Sequence, residues 1–152
     1  MIRALAGAAI VSGAVTATEV REEARDDITV RRIWNAAPHS AFTDLVHHEG
    51  AWWCVFREAT SHVPQDEEGD GAIRVLRSLD GEAWSSHALL KLPGIDLRDP
   101  KLSVTPRGVL MLLGGGSVYE EGMLRSRASR VAFLEGERFS SWERVVIDPA
   151  IR

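Results

Sequence analysis

The chain has 152 residues, 45% of them apolar and 26% charged, which suits one folded domain and excludes a disordered or low-complexity chain. A formal net charge of -4 and scattered arginines argue against nucleic acid or an anionic membrane surface as the main partner, because both reward a basic face. The single cysteine, Cys54, excludes an intrachain disulfide, and its place in the apolar run WWCVF reads as a buried thiol rather than a nucleophile.

In chain order, residues 1–20 come first: Arg3, an apolar run from Ala4 to Val15, and small residues around Ala17. This is the pattern of an export signal; the bland alternative is an N-terminal helix or a misassigned start. The run is too short and too rich in Ala and Gly for a membrane span. Export would place the protein in the periplasm or outside the cell, and without it the chain would be cytoplasmic. Residues 21–40 follow, with ITVRRIW (Ile28–Trp34) as a candidate ring-closing strand.

From Ala41 onward, short apolar runs alternate with turn residues every 8 to 12 positions, an all-β signature. Strands are predicted over Phe42–His47, Trp52–Arg57, Ala72–Arg77 and Trp84–Leu90, with turns at Glu49-Gly50 and Asp80-Gly81 and a polar loop, EATSHVPQDEEGDG, between the second and third. A second set is predicted over Lys101–Val104, Val109–Leu113, Arg130–Leu134 and Trp142–Ile147, with a long loop starting at Gly114–Gly116.

The two sets are copies. LDGEAWSS (Leu79–Ser86) returns fifty-five positions later as LEGERFSS (Leu134–Ser141), with five of eight residues identical. The same offset lays Asp44 on Asp99, and one residue of slippage pairs Arg74-Val75 with Arg130-Val131. The predicted architecture is therefore all-β: two four-stranded antiparallel units, 41–94 and 95–148, each a β-propeller blade, with 149–152 starting another. A ring needs about four to eight blades, and five or six at this period would take roughly 275 to 330 residues, so the chain reads as a fragment. Its open sheet faces would call for further blades or self-association.

Ser78, Asp80, Gly81 and Trp84, in SLDGEAW, resemble the Asp box, or BNR repeat, of the sialidase (neuraminidase) superfamily, a hairpin motif between the third and fourth strands of a blade. There the motif is structural: the Asp carboxylate takes turn N–H groups, Gly supplies an unusual dihedral and Trp packs between sheets. The stretch from HSAFTDL through LLKLPGIDLRDPKLSVTPRGVLMLLGGG also resembles the opening blades of bacterial exo-α-sialidase-like proteins.

Sialidases grip a carboxylate with three arginines, use an Asp as acid/base and use a Tyr with a Glu partner as nucleophile. The strand that should carry the first arginine reads Phe42-Thr43-Asp44 here, so the clamp lacks a member that Thr cannot replace. The acid/base position falls in the loop holding Asp66 and Asp70, and Glu58 falls where sialidases carry a Glu beside the site. The Tyr nucleophile belongs to later blades, so Tyr119 does not take that role. LRDPK also resembles the RDP motif of five-bladed fructosidases and arabinanases, whose Asp steadies an oxocarbenium-like transition state.

First strands of blades line the central channel, so Asp44 and the Arg98-Asp99 pair are expected to face one pocket as catalytic carboxylates and a substrate-binding cation, with Arg57 and Glu58 beside them. The competing expectation is that Arg98 pairs with Asp44 or Asp99 and that Arg57 and Glu58 form a solvated salt bridge. No cofactor and no metal is expected: the five histidines lack ligand spacing, and DEEGD at 66–70 lacks the alternating oxygens of a calcium loop. Trp52 or Trp53 must point outward from a shared strand. The implied function is a carbohydrate-processing glycosidase, inactive as this chain alone; the alternative is a non-catalytic propeller that binds carbohydrate or protein.

Overall fold

The alternation read from the sequence becomes two antiparallel sheets. In the computed structural model, which describes residues 28–63, 71–148 and 150, β1 (His39–His48), β2 (Ala51–Ala59), β3 (Ala72–Ser78) and β4 (Ser85–Leu90) pair in chain order as a four-stranded meander. A second sheet runs β5 (Asp96–Val104), β6 (Leu110–Glu120), β7 (Met123–Glu135) and β8 (Arg138–Phe139), and β9 (Glu143–Arg144) also pairs with β7. Among the described residues there is no helix, and none is long and apolar enough to cross a membrane. Residues Met1–Ile33 and Trp34–Arg152 are separate units. The export signal expected over residues 1–20 lies outside the described residues, and the strand expected over Ile28–Trp34 reduces to a single bridging residue, Ile28.

Tight turns set the registers. Glu49-Gly50 and Glu121-Gly122 both place two consecutive residues at positive φ, the signature of the two-residue hairpin turn that matches strand twist. The sheets are register copies of each other. In β1 the pairing jumps from Ala41↔Arg57 to Asp44↔Val55, and in β5 from Arg98↔Gly115 to Lys101↔Leu113, so each first strand sets two residues against one of its neighbour. The third strands agree too: Arg74 and Arg130 pair with Phe56 and Gly114, the residues opposite the bulges. Counted through these bulges, the structural counterpart of Asp99 is Phe42 rather than Asp44, which corrects the alignment at constant offset.

Two sequence expectations shift for physical reasons. Gly114–Gly116 start no loop; they lie inside β6. A Cβ on Gly116 would fall 2.5 Å from Arg130 Nε, and one on Gly114 would meet the Trp142 ring at 3.3 Å, so the strand is bare where large side chains cross it. Of the outer strand expected over Trp142–Ile147 only β9 forms, preceded by the short β8, and both lie on the β7 edge away from β6. Between them the Ser140 hydroxyl accepts the Phe133 N–H at 3.0 Å, in place of a ladder partner.

The core lies between the sheets. Ala51, Trp53, Val55, Ile73 and Val75 of the first pack with Leu97, Leu110 and Leu112 of the second. Each buried Leu, Ile or Val contributes roughly 1.5–3 kcal/mol. β2 is buried along both faces save for Trp52. Of the adjacent tryptophans, Trp53 is 4% exposed and Trp52 36%, as their shared strand requires.

Candidate functional site

The bulges decide what the first strands present. Phe42 and Asp99 sit at φ 62° and 51°, in the left-handed region that a bulky Phe avoids and Asp tolerates, and both side chains are exposed. Asp44 and Asp99 therefore do not share a role. The Asp44 carboxylate accepts the Leu102 N–H at 2.8 Å and so ties β1 to the first strand of the other sheet. Asp99 stands outward at the bulge.

Between β2 and β5 lies a charge cluster that sequence reasoning did not find. Asp96 is fully buried; its Oδ1 accepts from Arg57 Nη2 at 2.7 Å, and its Oδ2 lies 2.9 Å from Arg98 Nε, close but not aligned as a hydrogen bond. Arg57 is 0% exposed and also donates to the Ser61 carbonyl at 2.9 Å, with His39 Nδ1 at 3.5 Å. Arg98, 8% exposed, donates to the Tyr119 hydroxyl at 3.2 Å and to the His62 carbonyl at 2.7 Å. Arg98 thus pairs with Asp96, not with Asp44 or Asp99 as expected. Gly71 closes over the cluster. Its carbonyl accepts the Leu97 N–H, and a Cβ there would fall 1.9 Å from Asp96 Oδ1.

Arg57 and Glu58, neighbours on β2, point to opposite faces and make separate contacts. The Glu58 carboxylate accepts from Trp34 Nε1 and, at 2.9 Å, from Arg74 Nη2. Arg74 in turn lies over the Trp34 ring at 4.8 Å and donates to Ser86 Oγ at 2.7 Å. The Arg57–Asp96 pair is buried and the Arg74–Glu58 pair partly so, so Arg57 and Glu58 form separate ion pairs in place of the solvated bridge between them.

Three imidazole and benzyl rings gather beside Arg98. His62 lies 5.5 Å from His39 and 5.9 Å from Phe42, centroid to centroid. Asp66 and Asp70, the acid/base candidates, lie outside the described residues. Among the described residues no group of His, Cys, Asp or Glu is arranged to hold a metal. Burial, with a smaller push from the Asp44 charge, raises the Cys54 thiol to about 11, so it stays protonated and unreactive at neutral pH.

At the β3–β4 turn, Asp80 Oδ1 accepts the N–H groups of Glu82 and Ala83, both at 2.8 Å. Ser78 Oγ accepts the Gly81 N–H at 2.9 Å and lies 3.0 Å from Asp80 Oδ1, and Trp84 Nε1 donates to the Gly81 carbonyl. Gly81 has φ +76°, and the exposed Trp52 covers it, which uses the outward tryptophan structurally. In the second copy of the phrase, Leu134–Ser141, Glu135 pairs with Arg138 across a two-residue hairpin turn.

Asp96, Tyr119, His39 and His62 were missed because their partnerships span 18 to 39 residues of sequence and leave no local pattern. The one available signal was Asp96 two positions before Arg98 in IDLRDP. No known family model matches the chain, and no curated protein matches it significantly.

Proposed function

We propose that the two sheets are consecutive blades of a sialidase-like β-propeller that processes carbohydrate, with Asp99 as its foremost catalytic carboxylate. The observation that carries this reading is the exposed Asp99 on a β-bulge beside a buried Arg57–Asp96–Arg98 cluster, because bulges re-aim side chains and are over-represented next to active sites. Support for blades comes from the identical bulge registers and from the Asp-box contacts of Ser78, Asp80, Gly81 and Trp84. Exposed Leu113 and Leu124, which the pairing puts on the same face of the second sheet, fit a side that a further sheet or another chain would cover.

A non-catalytic carbohydrate-binding propeller is the second reading. It is favoured by Asp44, whose carboxylate is spent on Leu102 and so is not free to act with Asp99 as a carboxylate pair. Turnover of aryl glycosides and labelled oligosaccharides by the protein separates the two. Under the first reading Asp99→Asn lowers kcat by roughly a thousandfold or more while the fold survives. Saturable binding without turnover of any substrate would decide for the second.

A further inference from the structure

The outer face of the second sheet repeats, in register, a face that the first sheet buries. Counted from the bulges, Met111, Leu113 and Val131 stand where Trp53, Val55 and Val75 stand in the first sheet. Those three are buried because the second sheet packs on them. Leu113 has no such cover among the described residues and is 36% exposed. The first sheet's outer face is not open to take it in a second copy, because Cys54, Phe56 and Leu76 on that face are already buried.

Charge gives the exposed face an orientation. One row across the sheet reads Lys101, Leu113, Val131 and Glu143, from the β5 edge to β9. All four share the outer face, since Leu112 and Ala132 of the adjacent, inward row are buried. The next outer row is Ser103, Met111 and Phe133. A cation at one edge, an anion at the other and apolar residues between complement their own copy under a two-fold axis that runs along the strands between β6 and β7. That rotation lays β5 over the partner's β9 and β6 over the partner's β7. Lys101 then meets the partner's Glu143, Leu113 the partner's Val131 and Met111 the partner's Phe133. At the end of this face a groove of about 650 Å³ is lined by Arg107 of the β5–β6 turn and by Phe133 and Glu135 of β7. The same rotation brings Arg107 toward the partner's Glu135, and Arg127, which pairs with Ser117, toward the partner's Ser117. These rows therefore set no like charges together.

We infer that the outer face of the second sheet is a self-association surface, on which a second copy of the chain packs face to face about this two-fold axis. The inference is independent of the carbohydrate reading. Aligned packing is an ordinary way for two sheets to bury their side chains, and a two-fold contact closes at two copies. Sedimentation velocity of the full chain over about 1 to 300 µM tests it, because one sheet face is a small interface and implies a Kd on the order of 10 µM. A monomer–dimer equilibrium is expected. Leu113→Glu weakens it about a hundredfold or more, since each dimer would bury two unpaired carboxylates. Lys101→Glu and Glu143→Lys each weaken it about tenfold by opposing like charges, and the double variant restores it. All three residues are exposed, so the variants keep the parent's circular dichroism and Tm. A monomer at every concentration would overturn the inference, as would species growing beyond two copies. A dimer indifferent to Leu113→Glu would overturn the face, and single reversals without rescue by the double variant would overturn the two-fold arrangement. None of these results bears on the turnover test with Asp99→Asn.

Discussion

Asp80 and Asp96 each organise several donors around one carboxylate, but in opposite settings. Asp80 lies in water and takes its partners from the next three residues, Glu82 and Ala83 among them. Asp96 is fully buried and takes its partners from β2 and from its own strand. The first shapes a turn whose loss leaves solvated groups behind. The second neutralises two buried cations, so its loss leaves charge in a low-dielectric interior.

Removing each carboxylate in turn gives the largest expected difference. Asp96→Asn keeps the volume but leaves Arg57 and Arg98 facing a neutral amide, and should cost about 3–5 kcal/mol in urea unfolding. A cost similar to that of Asp80→Asn would mean that water reaches the cluster, and the contrast would fail. A second probe leaves the charges intact. Gly71→Ala drives a methyl group toward Asp96 Oδ1 and the Leu97 carbonyl, the latter 2.6 Å away, and should cost about 1–3 kcal/mol.

The same contrast governs what could be read in advance. The Asp80 turn was legible because its chemistry is local: Ser78, Asp80, Gly81 and Trp84 act within seven residues, and their order is the message. Strand positions were legible wherever apolar alternation met a Gly-containing turn, as at Glu49-Gly50. β5 was expected too short because Asp96-Leu-Arg-Asp-Pro is poor strand material; an edge strand with a bulge tolerates Pro100, which has no N–H to give. The triple glycine read as a loop because sequence does not show Arg130 and Trp142 lying across it. Arg57, Arg98 and Asp99 were named as site residues, but the partner joining the two arginines was not, since Asp96 and Arg57 meet only after the sheets pack.

Acid separates the local carboxylate from the rest of the molecule, and gives the smallest effect. The amides of Ala83 and Glu82, and then the Ser78 hydroxyl, hold the Asp80 carboxyl below its ordinary value. Its contribution is thus complete above the unfolded value of about 4 and is lost as pH falls through the lower folded one. His87 acts in a different window. Burial lowers its folded value, with its ring edge-on to Trp53 and Phe139, so stability associated with the neutral ring is complete above about pH 6.5 and declines as pH falls toward the folded value. Urea unfolding at pH 7, 5 and 3 should therefore show His87→Gln flattening the upper interval alone and Asp80→Asn the lower one alone. Faster amide exchange at Glu82 and Ala83 in Asp80→Asn, with Leu97 unchanged, would tie the lower effect to the turn; slower exchange, or a loss spread into β5, would show that the two aspartates are coupled after all.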